Sequence, residues 1–251
     1  MKTVYSIVAV LSVILFLSCT QKEPTGPVTQ ATPQELGTGD EKALEVAAKI
    51  VEACGGQEAW DNTRYIQWNF LGRRKHVWDK HAGKVRIQGI GNEFDIRLNI
   101  NQLSGRVNFQ GIEYSQPDTL TKYLQMGKNM WINDSYWLVM PFKLRDPGVN
   151  LSYLGMASLS GNKDVHKLEV TYNQVGNTPQ NKYHLFVDPD NYQILKWEFY
   201  QNREDPGVSL TNLWRDYTPY GNIILSGNRG GRYQLSDIKV DDPELANFID
   251  W

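Results

Sequence analysis

The chain contains very little cysteine, because Cys19 and Cys54 are its only two among 251 residues. A disulfide framework is therefore excluded as the main source of stability, and the fold has to rest on a hydrophobic core. Cys54 falls within an apolar helical pattern and has no Cys-x-x-Cys spacing. This context favours a buried, inert thiol over the reactive thiol that an unpaired cysteine can otherwise be.

The chain also lacks a surplus of charge and, beyond its first residues, a long apolar run. It has 26 basic and 28 acidic residues, a formal net charge of −2 and a pI near 6.1. Such a balance provides no bulk attraction to nucleic acid, which we do not expect as a partner. No later segment approaches about 18 consecutive apolar residues, so no membrane-spanning helix is predicted.

Signatures of catalysis and of nucleotide binding are missing as well. The sequence has no His-Glu-x-x-His, no Gly-x-Ser-x-Gly and no cysteine paired with a base. Gly89 and Gly91 begin a glycine pattern, but Phe94 stands where a dinucleotide fingerprint requires glycine. We therefore expect no catalytic residues and no cofactor, with an uncharacterised hydrolase as the alternative.

One histidine-rich stretch deserves a test as a metal site. His76, Asp79 and His81 are near enough in sequence to suggest ligands. The same stretch also fits a hairpin turn between the strand that carries His76 and the strand that carries Val85, and we favour the turn. Because no convincing set of three or four ligands exists, we expect no metal.

The N-terminus shows the clearest pattern in the chain. Lys2 precedes an apolar run from Val4 to Leu17, and Ser18-Cys19 follows directly. This order is typical of a bacterial lipoprotein signal peptide that is cut just before the cysteine. We predict a signal peptide over residues 1–18 and acyl chains such as palmitate on Cys19. An ordinary secretory signal, in which Cys19 falls by chance, is the alternative.

Lipidation would determine where the protein resides. Each buried methylene of an acyl chain contributes about 0.8 kcal/mol, so several chains hold a protein firmly at a membrane. We expect a lipid-anchored protein of the cell envelope, at the outer membrane on its periplasmic or surface face. Residues 19–39 are rich in Pro, Thr, Gln and Gly and predict a flexible tether. Residues 40–251 are enough for one domain with a single core.

One amphipathic helix is predicted from Asp40 to Cys54. Thr38 and Glu41 have the spacing of a capping box, and two glycines after Cys54 supply the stop. Apolar residues cover most of the circumference of this helix, which requires that other elements enclose it.

From Tyr65 onward the pattern changes to alternation, which is typical of strands with one buried face. Residues 117–148 are instead crowded with methionine and aromatic side chains and predict one or two inserted helices. The prediction is a mostly β, α+β fold, in which the N-terminal helix and the mid-chain helical insertion cover a large curved antiparallel sheet or incomplete β-barrel. Predicted strands lie around residues 66–70, 84–88, 93–100, 107–109, 168–172, 183–187, 194–199, 209–217 and 232–239, with a hairpin turn at 188–191.

Short motifs stand at the predicted turns and strand ends: Gly55-Gly56 with Ala59-Trp60, His76-Val77-Trp78-Asp79, Pro141-Phe142-Lys143-Leu144 with Asp146-Pro147-Gly148, Val187-Asp188-Pro189, and Trp214-Arg215-Asp216-Tyr217. In these motifs the chain resembles predicted lipoproteins of Bacteroidota whose function is undefined. In its order of elements it resembles the lipoprotein-localisation fold of periplasmic LolA-type carriers and outer-membrane LolB-type receptors. The resemblance implies an apolar cavity for acyl chains within a half-barrel.

If a cavity exists, the large apolar residues that face inward are the candidates for ligand contact. Alternation and the helical segment select Trp68, Phe70, Phe94, Ile96, Val107, Phe109, Met140 and Phe142. We predict a non-enzymatic envelope lipoprotein that binds a lipid or a lipoprotein acyl chain in this cavity. The alternative is an interaction module that fills the cavity with its own helices and docks onto an envelope complex.

Overall fold

The computed structural model of the protein describes residues 36–159 and 163–249. The predicted signal peptide, Cys19 and most of the predicted tether lie outside these ranges. In chain order the elements are β1 (Thr38–Gly39), α1 (Glu41–Ala53), α2 (Gln57–Asn62), β2 (Tyr65–Phe70), β3 (Arg74–Asp79), β4 (Lys84–Gly89), β5 (Phe94–Asn99), β6 (Ser104–Phe109), β7 (Ile112–Glu113), α3 (Pro117–Val139), β8 (Val149–Leu159), β9 (Lys163–Tyr172), β10 (Lys182–Val187), β11 (Ile194–Tyr200), β12 (Leu210–Leu213), β13 (Arg215–Tyr220), β14 (Ile223–Asn228), β15 (Leu235–Val240) and α4 (Leu245–Ile249).

The strands form two large sheets and a separate hairpin. The first sheet has the order β15-β2-β3-β4-β5-β6-β7, the second has the order β1-β8-β9-β10-β11-β12, and β13 pairs with β14. Every pairing is antiparallel except that of β1 with β8. The predicted α+β fold, mostly β with an N-terminal helix and a mid-chain helical insertion, is confirmed.

Helix α1 begins at a different cap from the one expected. The Asp40 carboxylate accepts a hydrogen bond from the Ala43 backbone N–H at 2.9 Å and a second from the Tyr153 N–H at 2.7 Å. Thr38 instead lies in β1, and its hydroxyl donates to Asn150 Oδ1 at 2.6 Å. The predicted capping box is therefore wrong, because one carboxylate next to the helix satisfies both the helix and the neighbouring strand.

Successive hairpins build the first sheet. His76 lies in β3 and Val85 in β4, with His81 in the turn between them, which confirms the predicted hairpin. Helix α3 lies across the inner face of this sheet. Gly127 permits close packing there, because a Cβ at this position would meet Ile96 Cγ2 at 2.8 Å. A short 3-10 turn (Met140–Lys143) continues α3, so the mid-chain helical prediction is confirmed.

The second sheet contains a strand that alternation does not reveal. Strand β8 starts with Val149 and Leu151 buried, but its pairing with β9 shifts register between Tyr153 and Met156. Gly155 lies inside this bulge with φ at 91°. A bulge inserts a residue and moves later side chains to the other face, so the period of two is lost. The hairpin of β10 and β11 matches its prediction.

Two large groups of buried apolar side chains and a small third group at α4 form the core, and α1 contributes to both large groups. Ala43, Val46 and Ile50 pack with the second sheet, whereas Val51 and Cys54 pack with the first sheet. Cys54 is 1% exposed and unpaired, and burial raises the pKa of its thiol to about 12. The thiol is therefore buried and protonated at neutral pH, as predicted.

Candidate ligand-binding groove

A groove of about 640 Å³ lies between the second half of α3 and the second sheet. Ligand sites for small molecules typically have roughly 300–1,000 Å³, so this volume is sufficient for one such ligand. The groove is formed by α3 and the turn after it, by the loop between β9 and β10, and by strands of the second sheet. Its aromatic lining residues are Trp131, Tyr136, Trp137, Tyr172, Tyr183, Trp197 and Phe199.

Ring contacts hold the aromatic wall in place. Tyr183 and Phe199 are cross-strand partners in β10 and β11, and their ring centroids are 5.2 Å apart. Trp197 lies 5.2 Å from Tyr183 and receives Trp137 of α3 edge-on at 5.4 Å. Contacts at these separations are favourable beyond the area they bury. The apolar surface of the groove is therefore preformed by side chains from distant parts of the chain.

A pair of tyrosine hydroxyls adds polar chemistry to this wall. Tyr136 Oη and Tyr172 Oη are 2.5 Å apart. Burial raises the pKa of both phenols, and also that of Tyr183, so all three are neutral at physiological pH. A hydroxyl pair uses only one of its two protons in the mutual hydrogen bond. The second proton is available to an oxygen of a ligand in the groove.

Polar side chains complete the lining and order its loop. Arg203 donates to the backbone carbonyls of Tyr172 and Pro179, the second at 2.8 Å. Asn181 Nδ2 donates to Thr178 Oγ1 at 2.6 Å. Thr178 and Asn181 lie in the loop between β9 and β10 and line the groove. The bond from Arg203 holds this loop to the chain after β11, and the bond between Asn181 and Thr178 stabilises the loop internally. The groove thus combines an aromatic interior with polar amides and hydroxyls.

The residues that the sequence selected for ligand contact lie elsewhere. Trp68, Phe70, Phe94, Ile96, Val107, Phe109 and Phe142 belong to the core of the first sheet, and Met140 belongs to the core of the second sheet. None of the eight lines the groove. Phe94 and Phe109 keep partial exposure, and the other six are at most 5% exposed. Their contact with a ligand stays a prediction.

The groove residues carry only a weak signal in the sequence. Tyr183, Trp197 and Phe199 fall in predicted strands, and Trp131 and Trp137 fall in the crowded helical segment. What the sequence does not show is that α3 crosses from the first sheet to the second. That crossing brings Tyr136 to Tyr172, whose positions differ by 36 residues.

A buried polar network lies at the other side of α3. His76 Nε2 is 2.6 Å from Asp134 Oδ2, and Arg74 holds the same carboxylate with Nε at 2.5 Å and Nη2 at 2.8 Å. His76 stacks on Trp68, with centroids 4.5 Å apart. Burial lowers the pKa of His76; burial alone would raise the pKa of Asp134, but hydrogen bonds from His76 and Arg74 outweigh it and lower the pKa.

The pair of His76 and Asp134 has the contact geometry of an acid–base dyad, but it is closed to substrates. Both side chains are completely buried. A general acid or base has to reach the proton that it transfers. The network therefore serves to fasten α3 to β3. Within residues 36–159 and 163–249, no group of three His, Cys, Asp or Glu side chains is arranged to hold a metal ion.

A buried arginine fixes the end of α3 beside the groove. Arg229 is 1% exposed, lies over the Trp214 ring at 3.6 Å and donates to the Trp137 carbonyl and to Ser226 Oγ. Burial lowers its pKa to about 9, which leaves it charged at neutral pH. A cation at the carboxyl end of a helix is stabilised by the helix dipole. Arg229 thus positions Trp137, which lines the groove.

The chain is therefore an α+β protein of two mainly antiparallel sheets, with an aromatic groove on the second sheet. Over residues 113–225 it matches DUF6503, a family of unknown function. No curated protein matches the sequence. In the described part of the chain, no helix combines the length and the apolar character that crossing a bilayer requires.

The solved structures that match this chain share little sequence with it. An outer membrane lipoprotein-sorting protein domain from Vibrio parahaemolyticus has 13% identity and a TM-score of 0.42, covering 83% of this chain and 98% of that domain. A DUF1329 family protein from Desulfovibrio piger has 12% identity and a TM-score of 0.47, covering 83% of this chain and 97% of that protein. At these identities and TM-scores the likenesses assign no function to this chain. The narrower resemblance to lipoproteins of Bacteroidota stays a prediction.

Proposed function

We propose that this protein is an envelope lipoprotein, anchored through Cys19, that binds a lipid or acyl chain in the aromatic groove without catalysis. The observation that carries the proposal is the preformed groove of about 640 Å³, walled by aromatic rings of α3, β10 and β11. The free energy of the system falls when a hydrocarbon ligand displaces water from an apolar surface of this kind. Its location differs from the cavity that the sequence suggested.

The ligand is amphipathic, with an apolar body and at least one oxygen acceptor. The aromatic rings supply the apolar contact area, and the spare proton of the Tyr136 and Tyr172 pair supplies a donor. A buried donor favours ligands that can accept its hydrogen bond, since an unpaired polar group in an apolar site costs about 1–3 kcal/mol. A carboxyl or ester oxygen of a lipid satisfies this requirement.

Titration of a fluorescent fatty acid into the full chain carrying Cys19→Ala tests the groove. We expect saturable, stoichiometric binding. Phe199→Ala removes one ring of the groove and should weaken binding about tenfold, since a well-packed aromatic contact of this kind is worth more than 1 kcal/mol. Phe109→Ala is the matched control, because Phe109 is also a half-buried strand residue but lies in the first sheet.

The two variants separate the two candidate cavities. Loss of binding only in Phe109→Ala would show that the ligand occupies the interior of the first sheet, as the sequence suggested. Equal binding by both variants and the parent chain, or a signal that never saturates, would remove the groove as the site. Circular dichroism confirms that each variant is folded.

The interaction module is the second candidate, and exposed apolar residues on β8 favour it. Leu154 is 44% exposed and Met156 is 50% exposed, next to the bulge in this strand. Exposed apolar side chains in one place are typical of docking surfaces. Absence of fatty-acid binding in the titration would make this alternative the better account.

A further inference from the structure

The outer face of the first sheet carries a row of arginines on adjacent strands. Arg86 of β4 is paired in register with Arg97 of β5, and Arg97 is paired with Arg106 of β6. Residues opposite each other in this way have Cβ atoms about 4.5–5.5 Å apart. The three side chains line a shallow groove of about 450 Å³, which is separate from the aromatic groove.

Like charges in direct cross-strand positions destabilise a sheet, so this row requires compensation. Asp95 supplies part of it. Its carboxylate accepts from Arg86 Nε at 3.0 Å and Nη2 at 2.8 Å, and from Arg97 Nε at 3.2 Å and Nη2 at 3.0 Å. Both arginines lower the pKa of Asp95, although burial alone would raise it. Two arginines of the row therefore already bind one carboxylate that belongs to the chain itself.

Arg106, unlike Arg86 and Arg97, does not bind Asp95. Its side chain is exposed, and within the described residues it forms no ion pair shorter than 4.0 Å. Glu113 is the only other carboxylate that lines the groove, and it is not paired with an arginine there within the same residues. Three guanidinium groups against two carboxylates leave a surplus of one positive charge among the residues that line this groove.

We propose that this end of the row binds a phosphate group. A guanidinium presents paired N–H donors that match phosphate oxygens, and two arginines side by side can hold one phosphate in the way that Arg86 and Arg97 hold Asp95. The amides of Gln88, Asn92 and Asn108 line the same groove and add uncharged donors. The phosphate belongs either to an anionic lipid headgroup or to a small phosphorylated molecule.

Two probes distinguish these sources, each with the full chain carrying Cys19→Ala. Inorganic phosphate is titrated calorimetrically, and vesicles of phosphatidylglycerol with phosphatidylcholine are tested by co-sedimentation beside vesicles of phosphatidylcholine alone. Arg106→Gln should weaken phosphate-dependent binding about tenfold while the fold is kept, because Arg106 is exposed. Arg215→Gln, an exposed arginine of β13, is the control and should bind as the parent chain does.

Each outcome decides the proposal. Binding of inorganic phosphate that Arg106→Gln weakens supports a small phosphorylated ligand. Binding to phosphatidylglycerol vesicles alone, again weakened by Arg106→Gln, supports a lipid headgroup. Vesicle binding is compared between the parent chain and Arg106→Gln, because lipid held in the aromatic groove would affect both equally. No difference between the two proteins with either probe overturns the site. None of these results depends on whether the aromatic groove binds fatty acid.

Discussion

At the scale of single residues, one buried carboxylate joins the helix that walls the groove to the first sheet. Asp134 of α3 accepts hydrogen bonds from Arg74 and from His76, both in β3. All of its side chain is buried. A buried charge is tolerated only when it is paired and hydrogen-bonded, and removing one partner leaves the other uncompensated. The position of α3 therefore depends on this residue.

We predict that Asp134→Asn lowers the free energy of unfolding by about 3 kcal/mol at pH 7, since it leaves Arg74 without its counter-charge. The folded-state pKa of Asp134 is lowered, so its contribution is present above the unfolded pKa of about 3.9 and is lost as the pH falls through the lower folded value. The difference in the free energy of unfolding between the parent chain and Asp134→Asn should thus shrink only below about pH 4. Urea unfolding at neutral and acidic pH measures it.

Asp164→Asn is the control for this prediction, because Asp164 is an exposed aspartate of β9. It should change the free energy of unfolding by less than about 0.5 kcal/mol. If Asp134→Asn is equally mild at pH 7, the network does not hold α3 in place. The groove would then need another source of rigidity.

At the scale of elements, the sequence predicts what repeats locally and misses what depends on distant partners. Strands β4 to β6 follow one another through short connections and bury alternate residues, so their period of two is regular. Strand β3 instead buries consecutive residues, because Val77 on its outer face packs against Leu245 and Ile249 of α4. Strand β8 is not predicted from the sequence, because its bulge at Gly155 interrupts the alternation of buried and exposed residues. The second role of Asp40, as acceptor for the Tyr153 N–H, is not predicted either, because the two residues are 113 positions apart.

The groove belongs to this second category. Helix α3 is predictable from residues 117–139, but its path over both sheets is not, because no local pattern specifies which sheet a helical face contacts. The sequence therefore placed the candidate site in the interior of the first sheet. In that interior, side chains such as Trp68 and Ile96 are fully buried in the core. The groove is found on the second sheet instead.

At the scale of the whole molecule, the proposed anchor would place both proposed sites near a membrane. Acyl chains on Cys19 would hold the domain near lipid through the predicted tether that precedes β1. The aromatic groove lies on the second sheet and the arginine row on the outer face of the first sheet. One molecule could then contact an apolar ligand and a phosphate group at different surfaces.

The anchor makes a prediction of its own. Cys19→Ala should give a soluble or unprocessed protein that incorporates no labelled fatty acid, because the acylated cysteine is gone. Metabolic labelling followed by membrane fractionation measures both properties. Cys54→Ala is the matched control and should keep label and membrane association, since Cys54 is buried in the folded domain. A Cys19→Ala protein that still carries label would refute the lipoprotein assignment.

The central claim, that the aromatic groove holds the ligand, is tested most directly by photo-crosslinking. A fatty acid with a diazirine near its end is bound to the protein and irradiated, and the adducts are mapped by mass spectrometry. We predict adducts on peptides that contain Tyr136, Tyr183 and Trp197, suppressed by an excess of unlabelled fatty acid. Adducts confined to peptides of the first sheet around Phe94 and Phe109, or adducts that unlabelled fatty acid does not suppress, would contradict the claim.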